Sequence, residues 1–245
     1  MHPSLTIATC KRVLRQLGHD KRTLGLLFIV PVVLLGLLAW IYSATPLVFD
    51  VIGPPLLAIF PFITMFLVTS ITMQRVRSGG TLERLLATRL GKLDIIVGYG
   101  LSFGLLAIIQ AAVASFAAVY LFGMDINGPI WALLLIALFD ALLGAALGLL
   151  ASAFARSEFQ AVQFMPAIVL PQILLCGLIM PVASLPDALQ VVAHLLPLTY
   201  AVEAMQLVAR QASVSSEYLV DIMVVAGFIV VAILLGAATL RRRVK

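Results

Sequence analysis

The sequence predicts an all-α membrane protein with six transmembrane helices, and three observations carry that prediction. Of the 245 residues, 62% are hydrophobic and 11% charged, with a mean hydropathy of +1.14, against roughly 25% charged in a soluble domain. Too few polar side chains are present to cover a globular surface in water, so lipid must be much of the solvent. Six apolar runs follow one another along the chain, each about as long as the roughly 20 residues a bilayer requires. Fifteen of the sixteen Lys and Arg fall in the segments on one side of that alternation, leaving Arg210 alone on the other. The positive-inside rule puts the basic side, and with it both termini, in the cytosol.

Residues 1–23 read as an amphipathic helix. Leu5, Val13, Leu14 and Leu17 recur near helical spacing, with Lys11, Arg12, Arg15, Lys21 and Arg22 between them. An interfacial helix with snorkelling cations has this composition, and a solvated basic tail is the plainer alternative. The first span is expected at 24–44, with Pro31 inside it. Its apolar run exceeds the 7–15 residues of a signal-peptide core and no A-x-A-like site follows, so it reads as an uncleaved span. A turn containing Pro46 and Asp50 should lead to a second span at 53–73, where Pro54, Pro55 and Pro61 mark its start and a kink. The remaining spans are expected at 95–122, 129–154, 161–180 and 218–240. Between the last two, residues 181–212 are apolar but cut by Pro181, Pro186 and Pro197, which suits short outer helices that dip into the membrane without crossing it.

The charge balance of +5 and pI near 9.6 do not point to nucleic acid, because the cations sit in short blocks beside apolar runs. Cys10 and Cys176 make no framework, and His2, His19 and His194 are scattered, so no metal site is expected. Single polar residues at membrane depth do not supply the convergent groups of an intramembrane enzyme, and no catalytic residue is assigned.

Two features do suggest function. Between spans two and three, residues 78–90 read SGGTLERLLATRL. Gly79–Gly80 should break the preceding helix and Thr81 should cap a new one. Leu82, Leu85, Leu86 and Leu90 form an apolar stripe, with Glu83, Arg84 and Arg89 elsewhere on the helix. A helix of this kind suits docking into a groove on a partner or lying flat on lipid headgroups. In span four, Asp140 stands near mid-bilayer, where an unshielded carboxylate costs roughly 2.5 kcal/mol or more. Gly144, Gly148 and Ser152 follow at steps of four, making one small, polar face that should meet protein or a water-filled cavity rather than lipid. Asp140 reads as a substrate-path or cation-binding carboxylate, or as a packing lock between helices. Gln110 and Glu203, with Gln163 and Gln172, read as interhelical hydrogen-bonding groups ahead of ligand contacts, and Gln110 shares with Asp140, Gly144 and Gly148 the alternative of lining a substrate path.

The stretch GTLERLLATRLGKLDIIVGYGLSFGLLAIIQA resembles the loop and third span of ABC type-2 permeases, the membrane subunits of a class of ATP-driven exporters. A second stretch, LPQILLCGLIMPVASLPDALQVVAHLLPLTYAVEAMQLV, resembles that family's fifth span, its proline-bounded outer helices and its P-L-T-Y motif, here Pro197, Leu198, Thr199 and Tyr200. The chain departs from the family's pattern at Arg75 and Arg77, where acidic residues are common, and at Arg89, where proline is frequent. The resemblance implies that 78–90 is a coupling helix docked on a nucleotide-binding subunit and that 1–23 is an elbow helix beside it. It implies a pair of permease chains, identical or paralogous, with two copies of the ATPase in the cell (plasma or inner) membrane. No G-x-x-x-x-G-K-[ST] phosphate loop occurs in the sequence, so ATP and Mg are expected on the partner and no cofactor on this chain. The implied activity is export of a hydrophobic or amphipathic molecule by alternating access, and an ion-driven transporter or channel using Asp140 is the alternative.

Overall fold

A computed structural model describes residues 3–81 and 92–239, and these are helices and turns with no strand. Helix α1 (Pro3–His19) is followed by α2, Lys21–Ile41, which contains a π-helical turn at Gly25–Ile29. Helix α3 spans Pro46–Ser78; α4 spans Lys92–Phe116 and runs on through a π-helical turn, Ala117–Leu121. Then come α5 (Ile130–Ala151), α6 (Glu158–Leu175), α7 (Asp187–His194), α8 (Pro197–Arg210) and α9 (Ser216–Ala238). Six of these, α2 to α6 and α9, are long and apolar enough to cross a membrane.

The bundle is built around α3. In its most apolar stretch 72% of residues are buried, against 17% in α2 and α6 and 28% in α9. A helix apolar on every side is stable only where every side is covered, and α3 lies against α2, α5, α6 and α8. The peripheral helices show their apolar side chains outward instead, among them Leu34, Trp40, Leu170 and Leu234, as lipid-facing surfaces do. Pro54, Pro55 and Pro61 lie inside α3. Each removes a backbone donor, and neighbouring helices make that tolerable at membrane depth.

Most helix boundaries differ by a few residues from the expectations above, and the start of α3 and both ends of α6 have clear local causes. Pro46 and Asp50 belong to α3 and not to a preceding turn, because Pro46 takes the first helical turn, where its missing N–H is no loss. The Asp50 carboxylate instead accepts the backbone N–H of Asp125 at 2.8 Å, tying the 123–128 loop to the start of α3. Helix α6 begins at Glu158, capped by the Ser157 side chain on the Gln160 N–H. It stops at Leu175, before the expected 180, since Gly177 takes a left-handed φ of 89° that few other residues accept. The proline-bounded segment forms α7 and α8, bent by 90° relative to each other.

Candidate functional site

The two ends of the bundle are chemically unlike. At one end lie the start of α2, the end of α3, the start of α6 and the end of α9, and Arg75 and Arg77 join them. The Arg75 guanidinium makes two hydrogen bonds of 3.0 Å to the two carboxylate oxygens of Glu158 on α6, and stands 3.7 Å from Asp20 at the start of α2. Two hydrogen bonds hold that carboxylate in place: the Thr23 hydroxyl and backbone N–H both donate to it, and they keep its pKa below the ordinary 3.8. Arg77 donates to the Thr239 hydroxyl at the end of α9, 3.2 Å away. One turn of helix thus reaches α2, α6 and α9. The chain then leaves α3 through Gly79 and Gly80, whose φ of 66° is left-handed.

Thr81 follows directly as a half-buried residue. Leu82, Glu83, Arg84, Leu85, Leu86 and Arg89 of the expected docking helix lie outside the described residues. On the far side of that segment, α4 is strapped to α1. Thr6 donates to Asp94 at 3.1 Å, Ser102 donates to the Cys10 carbonyl at 3.2 Å, and Arg12 donates to the Tyr99 hydroxyl at 2.9 Å with its guanidinium 5.9 Å from the ring centre. Gly98 permits this approach: a Cβ there would sit 2.7 Å from the Thr9 side chain. Helix α1 therefore buries Thr6, Thr9, Val13 and Leu17 against protein, within a cluster that includes Leu27, Met73, Tyr99 and Phe103. Of the four leucine and valine positions its periodicity singled out, Val13 and Leu17 are buried while Leu5 and Leu14 are half-buried.

At mid-depth, Gln110 on α4 bridges three helices. Its amide donates to the Leu27 carbonyl at 2.9 Å, inside the π-helical turn of α2, and to the Thr64 hydroxyl of α3 at 2.6 Å. Asp140 on α5 is wholly enclosed, and among the described residues neither carboxyl oxygen has a hydrogen-bond partner. Gly144 and Gly148 lie on the same helix one and two turns on, where a Cβ would run into the carbonyl oxygens of Phe62 and Phe66 on α3. That contact brings α5 and α3 together backbone to backbone.

The opposite end holds the outer helices. Pro197 opens α8; the Thr199 hydroxyl donates to the Ala193 carbonyl and the Tyr200 hydroxyl to the His194 carbonyl, each at 2.8 Å. These two residues of the P-L-T-Y motif satisfy the last carbonyls of α7 and so fix the bend between α7 and α8. Gln172 of α6 accepts the Leu198 N–H at 3.3 Å, Tyr218 of α9 donates to the Ala132 carbonyl at 2.7 Å, and Glu203 is exposed. Sequence reasoning missed the Arg75, Asp20 and Glu158 cluster. Its signal was present as opposite charges flanking three different spans, but pairing them required knowing that those spans are neighbours.

The bundle of apolar helices with a basic end, a helix strapped across it and a bent outer pair coincides with a sequence match: the ABC-2 type transporter family profile fits residues 4–209. The chain belongs to that family. Among its relatives, it is 29% identical over 157 residues to ABC transporter G family member 20 of Dictyostelium discoideum, covering 64% of this chain and 22% of that one. It is 27% identical over 141 residues to the probable multidrug ABC transporter permease YbhS of Escherichia coli, covering 57% and 37% of the two chains. To the linearmycin resistance permease protein LnrN of Bacillus subtilis it is 28% identical over 145 residues, covering 59% and 37%. The matched stretches thus span about a fifth to two fifths of these relatives' lengths. As an ABC-2 type transporter with six apolar helices of spanning length, the chain is a multi-pass membrane protein.

Proposed function

We propose that this chain is the membrane-spanning permease subunit of an ATP-driven exporter, moving a hydrophobic or amphipathic molecule out of the cytosol. The observation that carries the reading is the cluster around Arg75. Residues 78–90 are read as the helix docked on a separate ATPase subunit, and the turn of α3 immediately before it grips α2, α6 and α9. A push delivered to that segment is transmitted to four helices without passing through the bilayer. The family membership and the multidrug and resistance permeases among the relatives support this reading. In the mechanism, ATP binding with Mg closes a pair of ATPase subunits and displaces the docked helices. Two permease chains, copies or paralogues, then shift between inward-open and outward-open populations. The basic end faces the cytosol in the plasma or inner membrane, and the bent pair α7–α8 forms a re-entrant element on the outer side.

The test is accessibility combined with co-purification. A Thr81→Cys variant should be labelled by an impermeant thiol reagent only in inside-out vesicles, and the tagged chain should bring down an ATPase that carries a phosphate loop. Labelling from outside intact cells would overturn the topology and the docking together. A second reading draws on the enclosed, unpartnered Asp140: an ion-driven transporter that binds its ion there. It requires transport that follows an ion gradient without ATP and is lost in Asp140→Asn. Unchanged transport in that variant excludes it.

A further inference from the structure

The end of the bundle that holds the outer helices is short of cations. Asp50, Asp125, Asp187, Glu203, Glu217 and Asp221 lie in the segments on that side, with Arg210 as the one Lys or Arg among them. Five of these acids are exposed or half-buried, whereas Asp221 is only 6% exposed. Helix α9 packs on α5 and α8, and Asp221 shares its buried face with Tyr218 and Val225. Its Oδ2 is enclosed without a hydrogen-bond partner among the described residues. Its Oδ1 also accepts no hydrogen bond there, and it is the oxygen that reaches the surface.

No cation answers this carboxylate. Both ion pairs among the described residues belong to Arg75 at the other end, and residues 130–139 of α5 hold no ionisable side chain. Arg210 stands seven residues beyond Glu203, about two turns along α8. The charges that act on Asp221 are acidic: Glu217, one turn earlier on α9, and Glu203 on α8. Both are exposed, so they flank the mouth of a site whose floor is Asp221. Tyr200, one turn before Glu203, feels the charges of Asp221 and Glu203 alike. Its hydroxyl is engaged by the His194 carbonyl, and the His194 ring centre lies 6.2 Å from its own. A half-buried aromatic ring in this position is a favourable neighbour for a cation.

A buried carboxylate with unused acceptors and no counter-charge is costly, so a ligand bringing positive charge and N–H donors is favoured. Among the described residues no three His, Cys, Asp or Glu side chains come close enough to share a metal ion. An ammonium group needs less, since it donates separate hydrogen bonds. Asp221 lies about 7.5 Å along α9 from its start, the depth of the headgroup layer at the end of a span. We infer that Asp221, with Glu203 and Glu217 at the mouth, binds the primary ammonium group of an amphipathic amine at the membrane surface. A free long-chain amine and the ethanolamine headgroup of a phospholipid share that chemistry. Assigning the site to the outer leaflet rests on the topology proposed above. The binding test needs neither ATPase nor transport, so either reading can fail without the other.

The full chain, purified in a neutral detergent, would be titrated at pH 7 with decylammonium, decyltrimethylammonium or decanol in a calorimeter, with empty micelles as the blank. Decylammonium should bind about tenfold or more tighter than decanol, and tighter than the quaternary compound, which has no N–H to donate. Asp221→Asn, nearly the same shape, should weaken decylammonium about tenfold. Glu203→Gln should weaken it about threefold, as befits an exposed charge, and Asp187→Asn on α7 should leave it unchanged. Displacement by phosphatidylethanolamine and not by phosphatidylcholine identifies the lipid headgroup as the ligand; no displacement by either identifies the free amine. Equal displacement by both lipids would overturn the inference, as would equal binding of decylammonium and decanol or of the primary and quaternary amines. So would unchanged affinity in Asp221→Asn, or the same loss in Asp187→Asn. Should Asp221→Asn fail to fold, Glu203→Gln, at an exposed position, decides.

Discussion

Gly144 shows how one residue's smallness sets the position of a helix. It was legible as part of a face with Asp140, Gly148 and Ser152, because small residues at steps of four are a recurring means of close approach. The structure adds what that face meets: the Phe62 and Phe66 carbonyls of α3, which are backbone atoms and cannot rotate away. Gly144→Ala should therefore force α3 and α5 apart and lower stability by about 3 kcal/mol, the upper part of the range for overpacking. A thermal unfolding series in detergent checks this, with Gly100→Ala as the control because a Cβ there meets nothing within 4 Å. No loss at Gly144 would mean that the two helices are not held backbone to backbone. Gln110 was legible only as a polar residue at depth. That it binds Leu27 and Thr64 depends on a π-helical turn in α2, which no periodicity in the sequence announces.

Among the elements, α1 and the α7–α8 bend differ most in how much could be read ahead. The amphipathic pattern of α1 was visible, yet it is satisfied equally by a lipid surface and by a protein groove. The structure adds Thr6 and Thr9 to the buried face, and these are not apolar positions at all. They are buried because Asp94 and Gly98 of α4 receive them. For α7 and α8 the prolines marked the breaks, while the P-L-T-Y motif stood out by resemblance without a stated role. Its hydroxyls close the turn, so Thr199→Val and Tyr200→Phe should each cost about 1 kcal/mol, the net worth of a hydrogen bond. Thr199 is the more sensitive, since it is fully buried and Tyr200 is half-buried. Chemical or thermal denaturation of the two variants and their combination would show it. A cost-free Thr199→Val would remove the capping role.

For the whole molecule, the test is whether the Arg75 cluster joins α3 to α6. Arg75→Glu and Glu158→Arg each place like charges together, and the double variant restores opposite ones. Each single variant should lose roughly 1 kcal/mol, since exposed pairs are worth little even when bidentate, and the double variant should recover part of it, the rest being lost to the like charge then facing Asp20. Cooperative ATPase stimulation by the proposed partner subunit should follow the same order. Additive losses in the double variant would show that the pair does not couple the helices.

What the amino-acid order determined by itself is the solvent and the frame: a helical membrane protein, six apolar runs of spanning length, and cations gathered in short blocks beside those runs. Those properties are averages over roughly 20 residues, so single misplacements such as Pro46 or the end of α6 leave them intact. Which helix lies at the centre, which carboxylate meets Arg75, and what Gly144 and Thr6 touch were decided only in three dimensions. Such contacts join residues as far apart in sequence as Arg75 and Glu158, separated by 83 positions. Two helices with equally apolar faces look alike until close backbone approach selects the pairs that fit.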